Sequence, residues 1–353
     1  MPRQSSNIGI VLATYNGAKH LQTQLHSIEA QTVLPASMVI CDDGSKDETI
    51  RILEEFRTRS AFPVEIYING ASLGPTENFF HATSKCHTEY IALCDQDDIW
   101  LDKKIELCDF AIEATHPDLI LHSYIDFYTN QGKLFEKEYR LPGLGLVPGR
   151  AVNPSIIWLG MSMVARKSLF ENVPTMQSKW YPYLDNIRDS RPEILYIHWA
   201  DLHDLLLLTR ARMHGTIYLI EDVCAKHRTR DGGLTSDPTV RPGLRCIPEI
   251  EAAWETRAKP YKLWSMFCDD FGDYLADIDG EPTLSEARSY YRRWSRLWGN
   301  RATIHSERSS FVGRGKALID NLAAGAYRGP WAGGFGRRSL IKDGLNVLGV
   351  RIG

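Results

Sequence analysis

Three aspartates crowd into the segment Cys94–Trp100, CDQDDIW, directly after the apolar run Tyr90–Leu93. Like charges that close repel, so a chain that gathers Asp95, Asp97 and Asp98 asks for a counter-charge. In an extended segment alternate side chains share a face, which would aim Asp95 and Asp97 the same way. Hard divalent cations such as Mg2+ or Mn2+ take oxygen ligands of this kind, often completed by substrate phosphates. The competing reading is an acidic turn in which Asp98 caps a helix starting near Leu101. A second acidic pair, Asp42–Asp43, follows the apolar run Met38–Cys41. A carboxylate there can accept from an imide N–H or a ribose hydroxyl, as acidic residues do in other nucleotide-binding sheets. Its plain alternative is a turn with helix-N-terminal charge. Neither GxGxxG nor GxxxxGK[ST] occurs, so phosphate would have to be held by other means.

The elements that must position these residues are legible as periodicity. Ile8–Ala13, Met38–Cys41 and Tyr90–Leu93 are short apolar runs that read as buried strands, and Val64–Ile68 reads as a further strand between the last two. Between them lie helical patterns. Leu21, Leu25 and Ile28 share a helix face, Ser45 and Glu48 form a capping-box pattern for a helix to about Arg59, and Gly74–Pro75–Thr76 opens a third. Strictly alternating strands and helices predict a parallel sheet with helices on its faces. Ligands of such sheets bind outside the carboxyl ends of the strands, where TYNG (Thr14–Gly17), DDGS and CDQDD all sit. Three polar clusters on one edge outweigh any one of them.

After a helix over Leu101–Thr115 the pattern loosens. Leu119–His122 reads as a strand, Asp126–Pro154 and Lys179–Pro192 as loops, and Arg166–Phe170 as a helix start. His203–Asp204 leads into a helix ending near Gly215, and Ile217–Ile220 is a strand followed by the basic segment Lys226–Arg230, KHRTR. From about Pro248 the chain turns aromatic and helical. The tail Arg328–Gly353 carries five basic residues against one acidic, with Ile341, Leu345, Leu348 and Ile352 on one helical face. Such a helix suits an anionic membrane surface, and equally suits packing onto the body or onto a second copy in a homo-oligomer.

Composition narrows the class. A chain of 353 residues, 43% hydrophobic and 24% charged, has an ordinary globular make-up. A net charge of −3 and the lack of a basic, aromatic-interleaved stretch argue against nucleic acid as a partner. Seven scattered cysteines without a CxxC pair suggest neither a disulfide framework nor a zinc site. With no apolar leader at the N-terminus and no long apolar run, residence in a reducing cytoplasm is expected, with peripheral attachment to the inner face of the membrane through the tail as an option.

ATYNG at Ala13–Gly17, CDDGSKDET at Cys41–Thr49, SLGPTENF at Ser72–Phe79 and CDQDDIW followed by a basic helix resemble, in order and spacing, the family-2 glycosyltransferases. Within them the rhamnosyltransferase-like branch of polysaccharide synthesis is the nearest in pattern. The resemblance covers roughly the first 110 residues and continues more weakly to about Gly233. It implies a GT-A-type, Rossmann-like α/β fold, a mostly parallel sheet flanked by helices with a C-terminal helical extension. Residues 1–115 would form the nucleotide-sugar-binding half, 116–247 the acceptor-binding and catalytic half, and 248–353 the helical extension. It further implies that Thr14 and Tyr15 line a nucleoside pocket, that Asp43 with Asp42 beside it meets base or ribose, and that Asn78 lies near sugar or base. Asp95 and Asp97 would form a DxD-type motif holding Mg2+ or Mn2+ on the diphosphate, with Asp98 able to substitute. Asp204 would be the general base, with Asp201 as its rival. Where the branch usually has a Tyr-Arg-x-His-like segment, this chain has KHRTR, which leaves His227, Arg228 and Arg230 as candidates for the diphosphate.

Displacement at an anomeric carbon needs a carboxylate beside the attacking hydroxyl and charge neutralisation on the leaving diphosphate. One base and no enzymic nucleophile mean a single displacement, hence inversion. The expected donor is a dTDP- or UDP-linked sugar, rhamnose or a hexose, and the expected acceptor a glycan or lipid-linked oligosaccharide. A two-carboxylate glycoside hydrolase and a non-catalytic glycan-binding or scaffold protein on the same fold are the alternatives.

Overall fold

The structure is a computed structural model that describes residues 5–130, 133–154, 156, 158–171, 203–229, 258–276 and 286–350. Strands β1 (Ile8–Thr14), β2 (Ser37–Asp42), β3 (Val64–Ile68) and β4 (Tyr90–Cys94) alternate with helices α1 (Ala18–Glu29), α2 (Thr49–Arg59) and α3 (Pro75–Lys85). These strands pair in parallel, in the order β3-β2-β1-β4. There follow β5 (Ile99–Trp100), α4 (Lys104–Thr115), β6 (Leu119–Asn130), β7 (Lys133–Tyr139), β8 (Gly145–Pro148), β9 (Met163–Arg166), α5 (His203–His214) and β10 (Thr216–Arg228). They extend the sheet to ten strands, β3-β2-β1-β4-β9-β6-β10-β5, with β7 on β6 and β8 on β10. Since β9 runs against both β4 and β6, and β10 runs with β6, the long strands β6 and β10 keep the direction of β1–β4. The expected mostly parallel sheet flanked by helices is therefore present.

Side-chain alternation sorts the two faces. Ile8, Ile10 and Leu12 pack with Leu21, Leu25 and Ile28 of α1 and with Ile105, Cys108 and Ala111 of α4. Val11, Val39 and Cys41 look the other way, onto Phe79 and Ala82 of α3 and Leu207, Leu208 and Ala211 of α5. Six cysteines, Cys41, Cys86, Cys94, Cys108, Cys224 and Cys268, are buried free thiols, while Cys246 lies outside the described residues.

Several local expectations need correction. The helix expected from Leu101 begins at Lys104, because Ile99 and Trp100 pair antiparallel with Lys226 and Ala225 of β10; Asp98 is thus not its cap. The Ser45–Glu48 capping box does not form. Helix α2 opens at Thr49, whose N–H donates to Asp47 Oδ1 (3.1 Å), and Ser45 Oγ donates to Asp42 Oδ2 (2.5 Å). Within Asp126–Pro154, expected as loops, the structure places the end of β6 with β7 and β8, leaving 140–144 and 149–154 outside the strands. The helix start at Arg166–Phe170 is one 3-10 turn, Lys167–Phe170, after β9. The strand expected over Ile217–Ile220 runs on as β10 and takes in Lys226, His227 and Arg228. Lys179–Pro192, Asp201, Arg230 and Ile352 lie outside the described residues.

The C-terminal part holds α6 (Lys259–Ala276), α7 (Ala287–His305), α8 (Phe311–Ala323) and α9 (Arg337–Val347). Its core of Phe271, Tyr291, Trp294, Trp298 and their neighbours also takes in Leu206 and Met213 of α5. Tyr290 Oη donates to the Val152 carbonyl (2.6 Å) and Asn153 Nδ2 to that of Gly334 (3.1 Å), so the helices are fastened to the sheet domain. No helix among the described residues is long and apolar enough to cross a membrane.

Candidate active site

The loops after β1, β2 and β4 are stitched to one another by side chains of the polar motifs. Asn16 N donates to Ser45 Oγ and Lys46 N to Asn16 Oδ1, both at 2.8 Å, which ties TYNG to DDGS. Gln96 ties TYNG to CDQDD through two hydrogen bonds with the backbone of one residue: its Oε1 accepts from Tyr15 N (3.0 Å) and its Nε2 donates to Tyr15 O (3.1 Å). The Tyr15 ring itself stays largely exposed at the rim, as a side chain available for stacking must.

Asp42 and Asp43 are both engaged within the protein. Buried Asp42 accepts from Thr14 Oγ1 (2.8 Å), Gly44 N (3.0 Å), Ser45 N (2.7 Å) and Ser45 Oγ. Asp43 accepts from Leu73 N (2.7 Å), Gly74 N (2.9 Å), Ser72 Oγ (2.6 Å) and Asn69 Nδ2 (2.9 Å). Burial works against ionisation of Asp43, but these donors outweigh it and hold its pKa below the usual carboxylate range. A carboxylate offers about four lone-pair sites, so recognition of base or ribose by either residue requires a donor to leave. Asn78 is likewise occupied, its Nδ2 on the Cys41 carbonyl and its Oδ1 on Asn69 Nδ2.

The carboxylates after β4 are different. Asp95 and Asp97 are partly exposed, and Asp98 is fully buried. Asp98 Oδ1 accepts from Arg228 N (2.9 Å), while its Oδ2 is buried with no hydrogen-bond partner. Burial and the neighbouring charge of Asp97 push the Asp98 carboxyl up to about 6, against the opposing pull of His227. Asp95 is pushed well above its ordinary value by burial first, then by Asp98 and Asp97; Asp204 on α5 adds to the push. Asp204 is thus near enough to act on Asp95, although 109 positions separate the two in the chain. At the end of β10, Arg228 Nε donates to the Asp97 carbonyl (2.9 Å) and its guanidinium lies 4.5 Å from the Phe127 ring centroid. His227 Nδ1 lies 2.8 Å from Asp126 Oδ1. Burial would lower the His227 pKa, but the bond with Asp126 and the charges of Asp98 and Asp95 raise it to about 9, so the imidazolium acts as counter-charge to the acidic cluster. Beneath the cluster Lys104 is wholly buried, with Nζ on the Met161 carbonyl (2.6 Å) and over the Trp100 ring; burial lowers its pKa to about 8.

Among the described residues no three His, Cys, Asp or Glu side chains are arranged to hold a metal ion by themselves. The donor set nevertheless fits a hard cation in part. The Asp98 Oδ2 atom lacks a hydrogen-bond partner and the carboxylates raise one another's pKa, and oxygen ligands of this kind are those a hard cation takes, with phosphate oxygens and water as the usual complement.

Asp204 and His203 are set by close packing. The His203 ring stacks 4.0 Å from Phe79, and a Cβ built on Gly160 would fall 2.7 Å from His203 Nε2 and 3.5 Å from Asp204 Cβ. Trp158, two residues before Gly160, donates from Nε1 to the His122 carbonyl (2.8 Å) and meets Tyr124 and Trp331 edge-on at 5.1 and 6.3 Å. Trp331, between α8 and α9, thereby brings the helical extension to the margin of the site. Gln96, Asp126, Gly160 and Trp331 are absent from the candidates drawn from sequence. Gln96 stood inside a recognised motif, and the aromatic, β-branched run Tyr124–Thr129 is a strand signal that would have placed Asp126.

Residues 9–171 match the family described as Glycosyl transferase family 2. A dTDP-rhamnosyl transferase, RfbG of Shigella flexneri, is 36% identical over 99 residues, which are 27% of this chain and 34% of that protein. An uncharacterized protein of Mycobacterium tuberculosis, Rv1520, is 31% identical over 124 residues, 33% of this chain and 36% of its own. The UDP-Glc:alpha-D-GlcNAc-diphosphoundecaprenol beta-1,3-glucosyltransferase WfgD of Escherichia coli is 28% identical over 101 residues, 28% of this chain and 38% of that one. Each match takes in little more than a third of the relative's length. Among solved structures, S. aureus TarS 1–349 in complex with UDP-GlcNAc has a TM-score of 0.49 at 14% identity, over 90% of this chain and 87% of that one.

Proposed function

We propose that this protein, whose residues 9–171 carry a glycosyl transferase family 2 domain, transfers a sugar from a nucleotide-sugar to a glycan hydroxyl with inversion. What supports the reading is that Asp97, Asp98 and the distant Asp204 all act electrostatically on Asp95 at the end of β4. The acceptor oxygen attacks the anomeric carbon and its proton passes to Asp204. The bond from that carbon to the diphosphate oxygen breaks, and the nucleoside diphosphate leaves. Asp95 and Asp97, with Asp98 behind them, would hold Mg2+ or Mn2+, which when bound supplies charge neutralisation to the diphosphate. Arg228 and His227 add positive charge beside it.

The rhamnosyl and glucosyl relatives support a dTDP- or UDP-linked donor and a glycan acceptor, the lipid-linked GlcNAc named for WfgD being one form of it. The test is a thermal-shift panel of nucleotide-sugars with and without Mn2+, since a ligand that binds only the native state raises its stability. A donor-specific upward shift is expected, and a flat panel with an otherwise folded protein would end the transferase reading.

Asp97→Ala should abolish the Mn2+-dependent part of UDP or dTDP binding with the fold intact; calorimetric binding equal to wild type would remove Asp97 from the cation site. Gly160→Ala should lower kcat by about 100-fold with little change in donor affinity, because the new methyl displaces the His203–Asp204 pair. A wild-type kcat would mean that the neighbouring chain absorbs the methyl.

A further inference from the structure

Helices α8 and α9 carry apolar side chains on their outer faces as well as on the faces where Leu318 and Leu340 pack against the core. On α9 the residues turned inward are Asp343, Asn346 and Val347, while Ile341 and Leu348 are 61% and 69% exposed. On α8 the inward residues are Ala317 and Asn321, whereas Phe311, Val312 and Ile319 are 61%, 76% and 64% exposed, with Leu322 beside them. The spacing at 311, 312, 319 and 322, and at 341, 345 and 348, draws one apolar stripe along each helix. Ala317 of α8 and Val347 of α9 meet on Ile304 of α7, so both stripes face away from the same support. An exposed apolar surface of this extent marks an interaction site.

Charge selects the occupant. Residues 307–350 carry seven basic side chains, Arg308, Arg314, Lys316, Arg328, Arg337, Arg338 and Lys342, against Glu307, Asp320 and Asp343, in a chain of net charge −3. Asp343 is buried against Arg301 and so contributes nothing negative to the surface. A second copy presenting the same face about a two-fold axis would bring the same positive charge and be repelled. An anionic lipid surface is complementary on both counts, taking apolar side chains at headgroup depth and basic ones among its phosphates. We propose that the outer faces of α8 and α9 together form a docking surface for an anionic bilayer. The inference stands apart from the assignment of the reaction, since it uses no residue of the active site.

The test is co-sedimentation of the full chain with phosphatidylcholine vesicles, with and without phosphatidylglycerol, alongside light scattering for oligomeric state. Binding is expected only to the anionic vesicles and should weaken as salt is raised. The triple variant Val312→Ser, Ile319→Ser, Ile341→Ser and the pair Arg337→Glu, Arg338→Glu should each lower partition roughly tenfold or more. Both leave the inward residues untouched, so thermal unfolding and nucleotide binding should match wild type. Equal sedimentation with both vesicle types, or variants that still bind as wild type does, would overturn the proposal. So would a stable oligomer that the triple variant dissociates and that ignores vesicles, since the stripes would then belong to a second copy.

Discussion

Asp204→Asn is expected to cut kcat by roughly two to four orders of magnitude while leaving donor affinity near wild type. The substitution keeps the shape of a side chain held in place by His203 and Gly160 and removes only the ability to take a proton. It also removes one of the charges that push Asp95 upward, so cation-dependent binding of UDP or dTDP should be unchanged or slightly tighter. That split separates a base from a structural residue. Single-turnover rates at saturating donor, with calorimetry for affinity, read both quantities. A kcat within a few-fold of wild type would move the base to Asp201 or dispense with one.

The largest loss of stability is expected in the helical extension. Asp343 is fully buried and accepts from Arg301 Nε (2.9 Å) and Nη2 (3.0 Å) and from Tyr327 Oη (2.8 Å), with His305 Nε2 also at 2.8 Å. Arg301 lies over the rings of Tyr261 and Phe335 at 4.4 and 4.9 Å. Asp343→Ala strands that guanidinium in an apolar setting, which should destabilise the fold by about 3–5 kcal/mol. Replacing both ends, Arg301→Met with Asp343→Leu, should recover most of the loss, because no uncompensated charge is left. Urea unfolding of the single and double variants measures both. Burial would raise the Asp343 pKa, but the His305 bond, the Arg301 charge and bonds, and the Tyr327 bond hold it below the ordinary value. Its contribution is therefore complete above the unfolded carboxylate pKa and disappears as pH falls through the lower folded value. If Asp343→Ala unfolds at the wild-type urea midpoint, the cluster contributes no net stability.

How far the sequence revealed this varies along the chain for physical reasons. Strands β1, β2 and β4 were legible because they are buried on both faces and read as unbroken apolar runs, whereas the edge strand β3, only partly buried, shows itself by its Val, Ile and Tyr content. Strand β7 was hidden because it is exposed along almost its whole length and alternates Lys and Glu, so composition imitates a loop. It is held by its hairpin ladder with β6 and by the stacked cross-strand pairs Tyr128–Phe135 and Tyr124–Tyr139, which composition alone does not display. Ser45 imitated a helix cap because a hydroxyl before an acidic helix start has two customers. Here the Asp42 carboxylate, which also organises Gly44 and Thr14, is the one it serves. The acidic edge of the site was visible as motifs, whereas Gly160 and Trp331 become meaningful only once the chain folds back on itself.

The pair of hydrogen bonds between the Gln96 amide and the Tyr15 backbone joins the loop after β1 to the loop after β4 as one body. Two ligands that each order one of these loops then share the entropy of ordering. Whatever factor the first adds to the affinity of the second, the second must return to the first. In this protein, titrating nucleotide at several cation concentrations and cation at several nucleotide concentrations should give one coupling constant, carried across the site by a single side-chain amide.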